Sequence, residues 1–186
     1  MISKKYAIYI VGSPGVGKST LMKSLIANLT FSEKVSLEGT FYGHEFDNGV
    51  YLGLFRDEYP GTDGLVLTCA PDAEKYVSST EAPILIGEGS KFTYARFFQC
   101  MTVNRTLIII KLIASRQELE ARRKQRNSNQ NPSWLKATDT RIFKALNNVN
   151  NVQVLTLDTN KLSPAMVSKM VIRKLPDDVK SLLNVQ

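Results

Sequence analysis

Gly12-Ser13-Pro14-Gly15-Val16-Gly17-Lys18-Ser19 satisfies the spacing G-x-x-x-x-G-K-[ST] at every position, and that spacing makes a cradle for phosphate. Its glycines let the backbone turn tightly and aim N–H groups at phosphate oxygens. Lys18 supplies a cation for β- and γ-phosphates, and the Ser19 hydroxyl is placed for Mg²⁺. With Thr20, residues 12–20 form the expected nucleotide-binding stretch. The alternative is an incidental glycine-rich turn, and the flanks argue against it. Tyr6–Val11 reads as a buried strand, and residues 18–28 read as a helix with Leu21, Leu25 and Ile26 on one face. The N-terminus of such a helix adds about half a positive charge where phosphate would sit.

Two carboxylates and three arginines complete the chemistry-bearing set. Glu88 ends an apolar run, residues 83–87. In a doubly wound sheet the ligand crevice lies at the carboxyl ends of the strands, so Glu88 is expected to face Lys18 and to hold Mg²⁺ through water; otherwise it caps a strand end. Asp63 lies in Gly61-Thr62-Asp63-Gly64. It can accept the proton of an attacking hydroxyl, or it can be turn chemistry, since Asp-Gly is a common turn pair. Arg122 and Arg126 are four residues apart on one predicted helix face, with Arg123 beside them. At that spacing both can reach one phosphate group; otherwise they pair with Glu118 and Glu120 on the surface.

These groups need a scaffold, and the 186 residues are expected to form one domain. Strand-like and helix-like runs alternate, which predicts an α/β fold with a mostly parallel sheet flanked by helices. Besides the first strand, residues 83–89, 106–113 and 151–157 read as strands. Residues 71–77, 94–101, 133–146 and a stretch opening at Pro164 and stopping before Pro176 read as helices. Ser115-Arg116-Gln117-Glu118 reads as a capping box opening the arginine-bearing helix. Asn48-Gly49 between two aromatic runs predicts a small projecting β-hairpin over residues 41–55.

The net charge of +7 is unevenly placed. Residues 111–144 carry 9 basic and 3 acidic side chains, whereas residues 1–110 carry 10 and 11. Such a block attracts polyphosphate or nucleic acid, or is a solvated basic face. His44 is the one histidine, and Cys69 and Cys100 lack metal spacing. A Ser-His-Asp or two-histidine metal centre is therefore set aside, and a reducing compartment is expected. No apolar run approaches a bilayer span, so a soluble cytoplasmic protein without a membrane partner is expected. Trp134 follows the amide-rich residues 129–133 and reads either as core at a helix start or as a stacking surface for a base.

The phosphate loop, Leu52-Gly53, Gly61-Thr62-Asp63, Glu88-Gly89, the arginine-rich helix and, most specifically, Asn129-Gln130-Asn131-Pro132-Ser133-Trp134-Leu135-Lys136 together resemble the bacteriophage 5-hydroxymethyluracil DNA kinases. The resemblance runs over residues 6–157. It implies a P-loop NTPase of nucleotide-kinase type with an Arg-rich lid over residues 115–136. It also implies transfer of the ATP γ-phosphate to the 5-hydroxymethyl group of the modified uracil in DNA, in the host cytoplasm. On that likeness Lys18 and Ser19 bind ATP·Mg²⁺, Asp63 is the base near the acceptor, and Arg122, Arg123 and Arg126 clamp phosphates. The chain departs from the pattern at Leu54 and Gly64, where the family tends to carry a basic residue and an alanine. Two other readings use the same cradle: a deoxynucleoside monophosphate kinase acting on a free nucleotide, and an NTP-binding switch that hydrolyses slowly.

Overall fold

The computed structural model describes residues 4–56, 60–128 and 130–186. Asn129 of the amide-rich stretch lies outside them, as do residues 57–59 of the expected turn segment.

Strand β1 (Tyr6–Val11) is followed by helix α1 (Lys18–Leu25), and then by β2 (Val35–Glu38), β3 (Phe41–Phe46) and β4 (Gly49–Leu52). Two short 3₁₀ turns, Thr62–Gly64 and Leu67–Cys69, lead into α2 (Ala70–Ser79). After β5 (Ile84–Glu88), α3 (Ala95–Met101) and β6 (Thr106–Ile113) come the helices α4 (Arg116–Gln125) and α5 (Pro132–Asn147). The chain closes with β7 (Val152–Asp158), α6 (Pro164–Lys174) and α7 (Asp177–Leu182).

All seven strands join one sheet in the order β2-β3-β4-β5-β1-β6-β7. The five strands from β4 to β7 run parallel, and β3 and β2 add antiparallel at one edge. Strand β1 shows how alternation builds two cores, because successive side chains leave a strand on opposite faces. Tyr6, Ile8 and Ile10 pack with α1, α6 and α7 through Leu21, Leu25, Val171 and Val179. Ala7, Tyr9 and Val11 pack with α2, α3 and α5 through Val77, Phe97, Phe98 and Ile142. With both faces covered, the central strands read as continuous apolar runs.

The hairpin differs from the expectation in two respects. It does not project, because β4 continues into the sheet and pairs in parallel with β5. Its turn residues are Asp47 and Asn48, with Phe46 facing Gly49 across the pair. Gly49 is therefore a strand residue, and a Cβ there would stand 2.0 Å from the carbonyl oxygen of Ile84. The glycine admits close approach of β5 rather than a turn with positive φ. Trp134 also departs from the core alternative: it is 41% exposed at the start of α5. Among the described residues no helix is long and apolar enough to cross a membrane.

Candidate active site

The cradle forms where β1 gives way to α1. Gly15 and Gly17 adopt φ values of +86° and +103°, which a side chain would strain, and Lys18 opens α1 directly after them. Strand pairing brings the other participants close: Ile10 of β1 lies opposite Glu88, the last residue of β5.

Ser19 donates its hydroxyl to Glu88 Oε2 at 3.0 Å. Glu88 is 2% exposed, and burial pushes its carboxyl up to about 7, against the opposing pull of Lys18 and the Ser19 hydrogen bond. Lys18 Nζ donates to the carbonyl of Gly12 at 3.0 Å. Burial lowers the Lys18 pKa, and the charges of Asp63 and Glu88 act in the opposite direction. One partly buried ammonium thus lies among carboxylates at the mouth of a phosphate-binding turn. That arrangement favours an incoming polyanion together with a divalent cation to balance the acids.

Asp63 is held firmly. Its Oδ1 accepts from the backbone N–H groups of Ser90 at 2.9 Å and Lys91 at 2.8 Å. Lys91 Nζ donates to the carbonyls of Asp63 and Leu65. The neighbouring Thr62 donates to the Glu88 carbonyl at 2.9 Å and lies 2.7 Å from the Tyr9 hydroxyl. Both earlier readings of Asp63 are therefore compatible with its surroundings: it organises the turn after β5 and lies within the electrostatic reach of Lys18.

Helix α4 forms the opposite wall. Ser115 caps it by accepting from Glu118 N–H. The reciprocal half of the expected capping box is absent, because Ser115 N–H goes to Asn160 Oδ1 and Glu118 binds Arg122. Arg122 also donates to the hydroxyl and carbonyl of Thr159, at 3.0 and 2.8 Å. Arg123 Nη1 donates to the Pro14 carbonyl at 3.2 Å. Arg126 is exposed, and its charge helps lower the Lys18 pKa. The three arginines thus divide: Arg122 ties α4 to the loop after β7, Arg123 reaches the cradle backbone, and Arg126 is presented to solvent near the cradle. Arg122 and Arg126 do line one cleft of about 280 Å³, with Gly15, Gly17, Thr20 and Pro164.

This division yields a test. Arg122→Ala is expected to cost about 2 kcal/mol of stability, because it removes a partly buried, charge-assisted hydrogen-bond set. Arg126→Ala is expected to stay within about 0.5 kcal/mol of the parent while slowing phosphoryl transfer. Urea unfolding and turnover, measured on both variants, check the split.

Some participants escaped the sequence reading. Asp139, on α5, accepts from the Ser13 hydroxyl at 2.5 Å, and its charge reaches Lys18. Residues 126 positions apart in sequence leave no local signal of such a contact. A second cleft, of about 320 Å³, opens beside Ser19 and Glu88 and is lined by Met22, Lys23, Tyr51, Phe55 and Arg56. Phe55 is 44% exposed and stacks on Tyr51 with ring centroids 4.4 Å apart, and on His44 at 4.3 Å. These rings belong to the two aromatic runs of the expected hairpin.

Among the described residues no group of three or more His, Cys, Asp or Glu side chains could hold a metal ion. The Ser19–Glu88 pair offers hard oxygen donors, and it fits an ion that takes its remaining ligands from water and phosphate, as Mg²⁺ does.

A sugar kinase structure from a Janibacter species covers 97% of this chain and 98% of its own, with a TM-score of 0.57 at 13% identity, a likeness of fold alone. The translation elongation factor SelB of Methanococcus maripaludis, with a GTP analogue bound, aligns over 93% of this chain and 34% of its own at 14% identity, with a TM-score of 0.31. No curated protein sequence matches the chain. Residues 3–184 match the family described as P-loop Nucleotide Kinase3, and the chain, with its phosphate cradle at the end of β1, belongs to that family.

Proposed function

We propose that the protein is a single-domain ATP-dependent phosphotransferase that passes the γ-phosphate to the 5-hydroxymethyl group of 5-hydroxymethyluracil in DNA. The observation that carries this reading is the pairing of a phosphate cradle with an aromatic cleft that shares Ser19 and Glu88. At about 320 Å³ the cleft suits one base with its sugar, not a duplex. A base in DNA would have to leave the stack to enter it, at a cost of about a few kcal/mol. The half-exposed ring of Phe55 offers a stacking face that offsets part of that cost. The resemblance carried by residues 129–136 supports the same acceptor.

In this reading the backbone of residues 12–17 and Lys18 hold the donor phosphates, Thr20 borders them, and Arg123 fixes the cradle through Pro14. Ser19 and Glu88 would hold Mg²⁺, which when bound would neutralise charge on the transferring phosphate. Asp63 accepts the proton of the acceptor hydroxyl. Arg126 swings to the donor phosphates as α4 and α5 close, and Arg122 holds the base of that helix. Phosphoryl transfer needs chiefly such positioning and charge stabilisation.

Lys23 and Arg56 on the cleft wall support a second reading, because they would equally bind the phosphate of a free deoxynucleoside monophosphate. Radiolabel transfer from γ-labelled ATP separates the two when 5-hydroxymethyluracil DNA, unmodified DNA and free deoxynucleoside monophosphates are offered in parallel. Label on the modified DNA alone supports the proposal. Label on a free nucleotide replaces it, and release of phosphate with no labelled acceptor indicates a switch. Asp63→Asn sharpens the comparison, since the amide oxygen can still accept from Ser90 and Lys91. Transfer is expected to fall by about 10²-fold or more, the scale of general-base catalysis. Unchanged transfer would return Asp63 to turn chemistry.

A further inference from the structure

We infer that a groove along α5, which shares Ser133 and Lys136 with the cleft that opens past Ser13 and Asp139, docks the sugar–phosphate backbone of the polynucleotide that carries the acceptor base. The groove, about 620 Å³, runs between the start of α3 and one face of α5. Ser133, Lys136, Ala137, Thr140, Arg141 and Lys144 recur at helical spacing along that face. The small residues make a floor that a backbone can approach closely. The cations make the walls, and Lys136, Arg141 and Lys144 are all exposed.

No carboxylate lines the groove. None of the ion pairs among the described residues involves its three cations. Their charge is therefore available to an external anion. Lys136 and Lys144 are eight residues apart, about 12 Å along a helix, which matches the axial rise of about three to four nucleotides of one strand. An extended polyanion fits that spacing better than a single phosphate does.

The groove is also joined to the reaction centre. Arg141 Nη1 donates to the Ser90 carbonyl at 3.2 Å, and Asp63 holds the N–H of the same residue. A strand lying along α5 would thus pass the turn that carries the proposed base. This inference rests on the reading that the acceptor is part of a polynucleotide, and it adds where the strand lies.

Fluorescence anisotropy with labelled, unmodified single-stranded and duplex oligonucleotides tests it across a salt series. The Lys136→Ala/Lys144→Ala pair is compared with Lys169→Ala/Lys174→Ala on α6, which changes net charge equally. Loss of two phosphate contacts should flatten the log–log salt slope by about 1.4 for single strands or 1.8 for duplex. It should also weaken binding at least about tenfold in low salt, with ATP affinity retained. The α6 pair should bind as the parent does.

Equal losses in the two pairs would overturn the groove as a docking site while leaving the DNA-kinase reading intact. Competition by polyglutamate as strong as that by DNA would assign the groove to an acidic protein instead. No oligonucleotide binding by any form, with label passing to free nucleotides in the transfer assay, would overturn both readings.

Discussion

Lys18→Ala is expected to lower phosphoryl transfer by about 10³-fold, while thermal unfolding stays cooperative with a midpoint close to the parent's. Catalysis by this fold depends on fixed charge near the transferring phosphate, and loss of one preorganised donor in a site sheltered from water costs about 10²–10³-fold. Lys18 also attracts Asp63 and Glu88, and its removal weakens the counter-charge to both, while Asp63 keeps its bonds from Ser90 and Lys91 and Glu88 its bond from Ser19. The fold has less to lose. The ammonium makes one hydrogen bond, to the Gly12 carbonyl, and its burial already disfavours the charged form. Removing it trades a weak contact for relief from desolvation. Transfer within tenfold of the parent would show that Lys18 does not hold the transferring phosphate.

How much of this was legible in the sequence depended on distance along the chain. The cradle, Glu88 at the end of a strand and the cap at Ser115 are local patterns, and the structure keeps them in place. Strands β1, β5 and β6 were readable because both of their faces are buried and they are continuously apolar. Strand β2 (Val-Ser-Leu-Glu) lies at the sheet edge, partly exposed throughout, and helix α7 has six residues; neither carries enough periodicity to stand out. The contacts that define the site are long-range. Ser13 with Asp139 and Arg122 with Thr159 follow only from the sheet order, and no spacing announces them. Arg122 shows the consequence. Its helix face was readable, but the groups waiting on that face were not, and a side chain read as a phosphate clamp also fastens α4 to Thr159.

Glu88→Gln should make the apo protein more stable at alkaline pH and less active at every pH. The Glu88 carboxyl is raised from an ordinary value of 4.5 to about 7, chiefly by burial. Below about pH 4.5 both folded and unfolded chains hold its proton. Between there and pH 7 the unfolded chain releases the proton while the folded chain keeps it, so this group makes stability fall as pH rises. Above pH 7 the whole penalty stands, about 3 kcal/mol by the free-energy equivalent of the shift. The glutamine amide oxygen can still accept from Ser19 but carries no charge to desolvate. Urea unfolding in EDTA should find the two proteins alike near pH 4.5 and the variant ahead by up to about 3 kcal/mol at pH 8. A difference independent of pH would mean that Glu88 is not a buried titrating acid. The activity loss follows from the same property, because an acid kept out of water without a full counter-charge favours a divalent cation beside Ser19. If Ser19 and Glu88 hold Mg²⁺ as proposed, the stability forgone becomes affinity for Mg²⁺ with ATP, and in the variant added Mg²⁺ should no longer raise the unfolding midpoint.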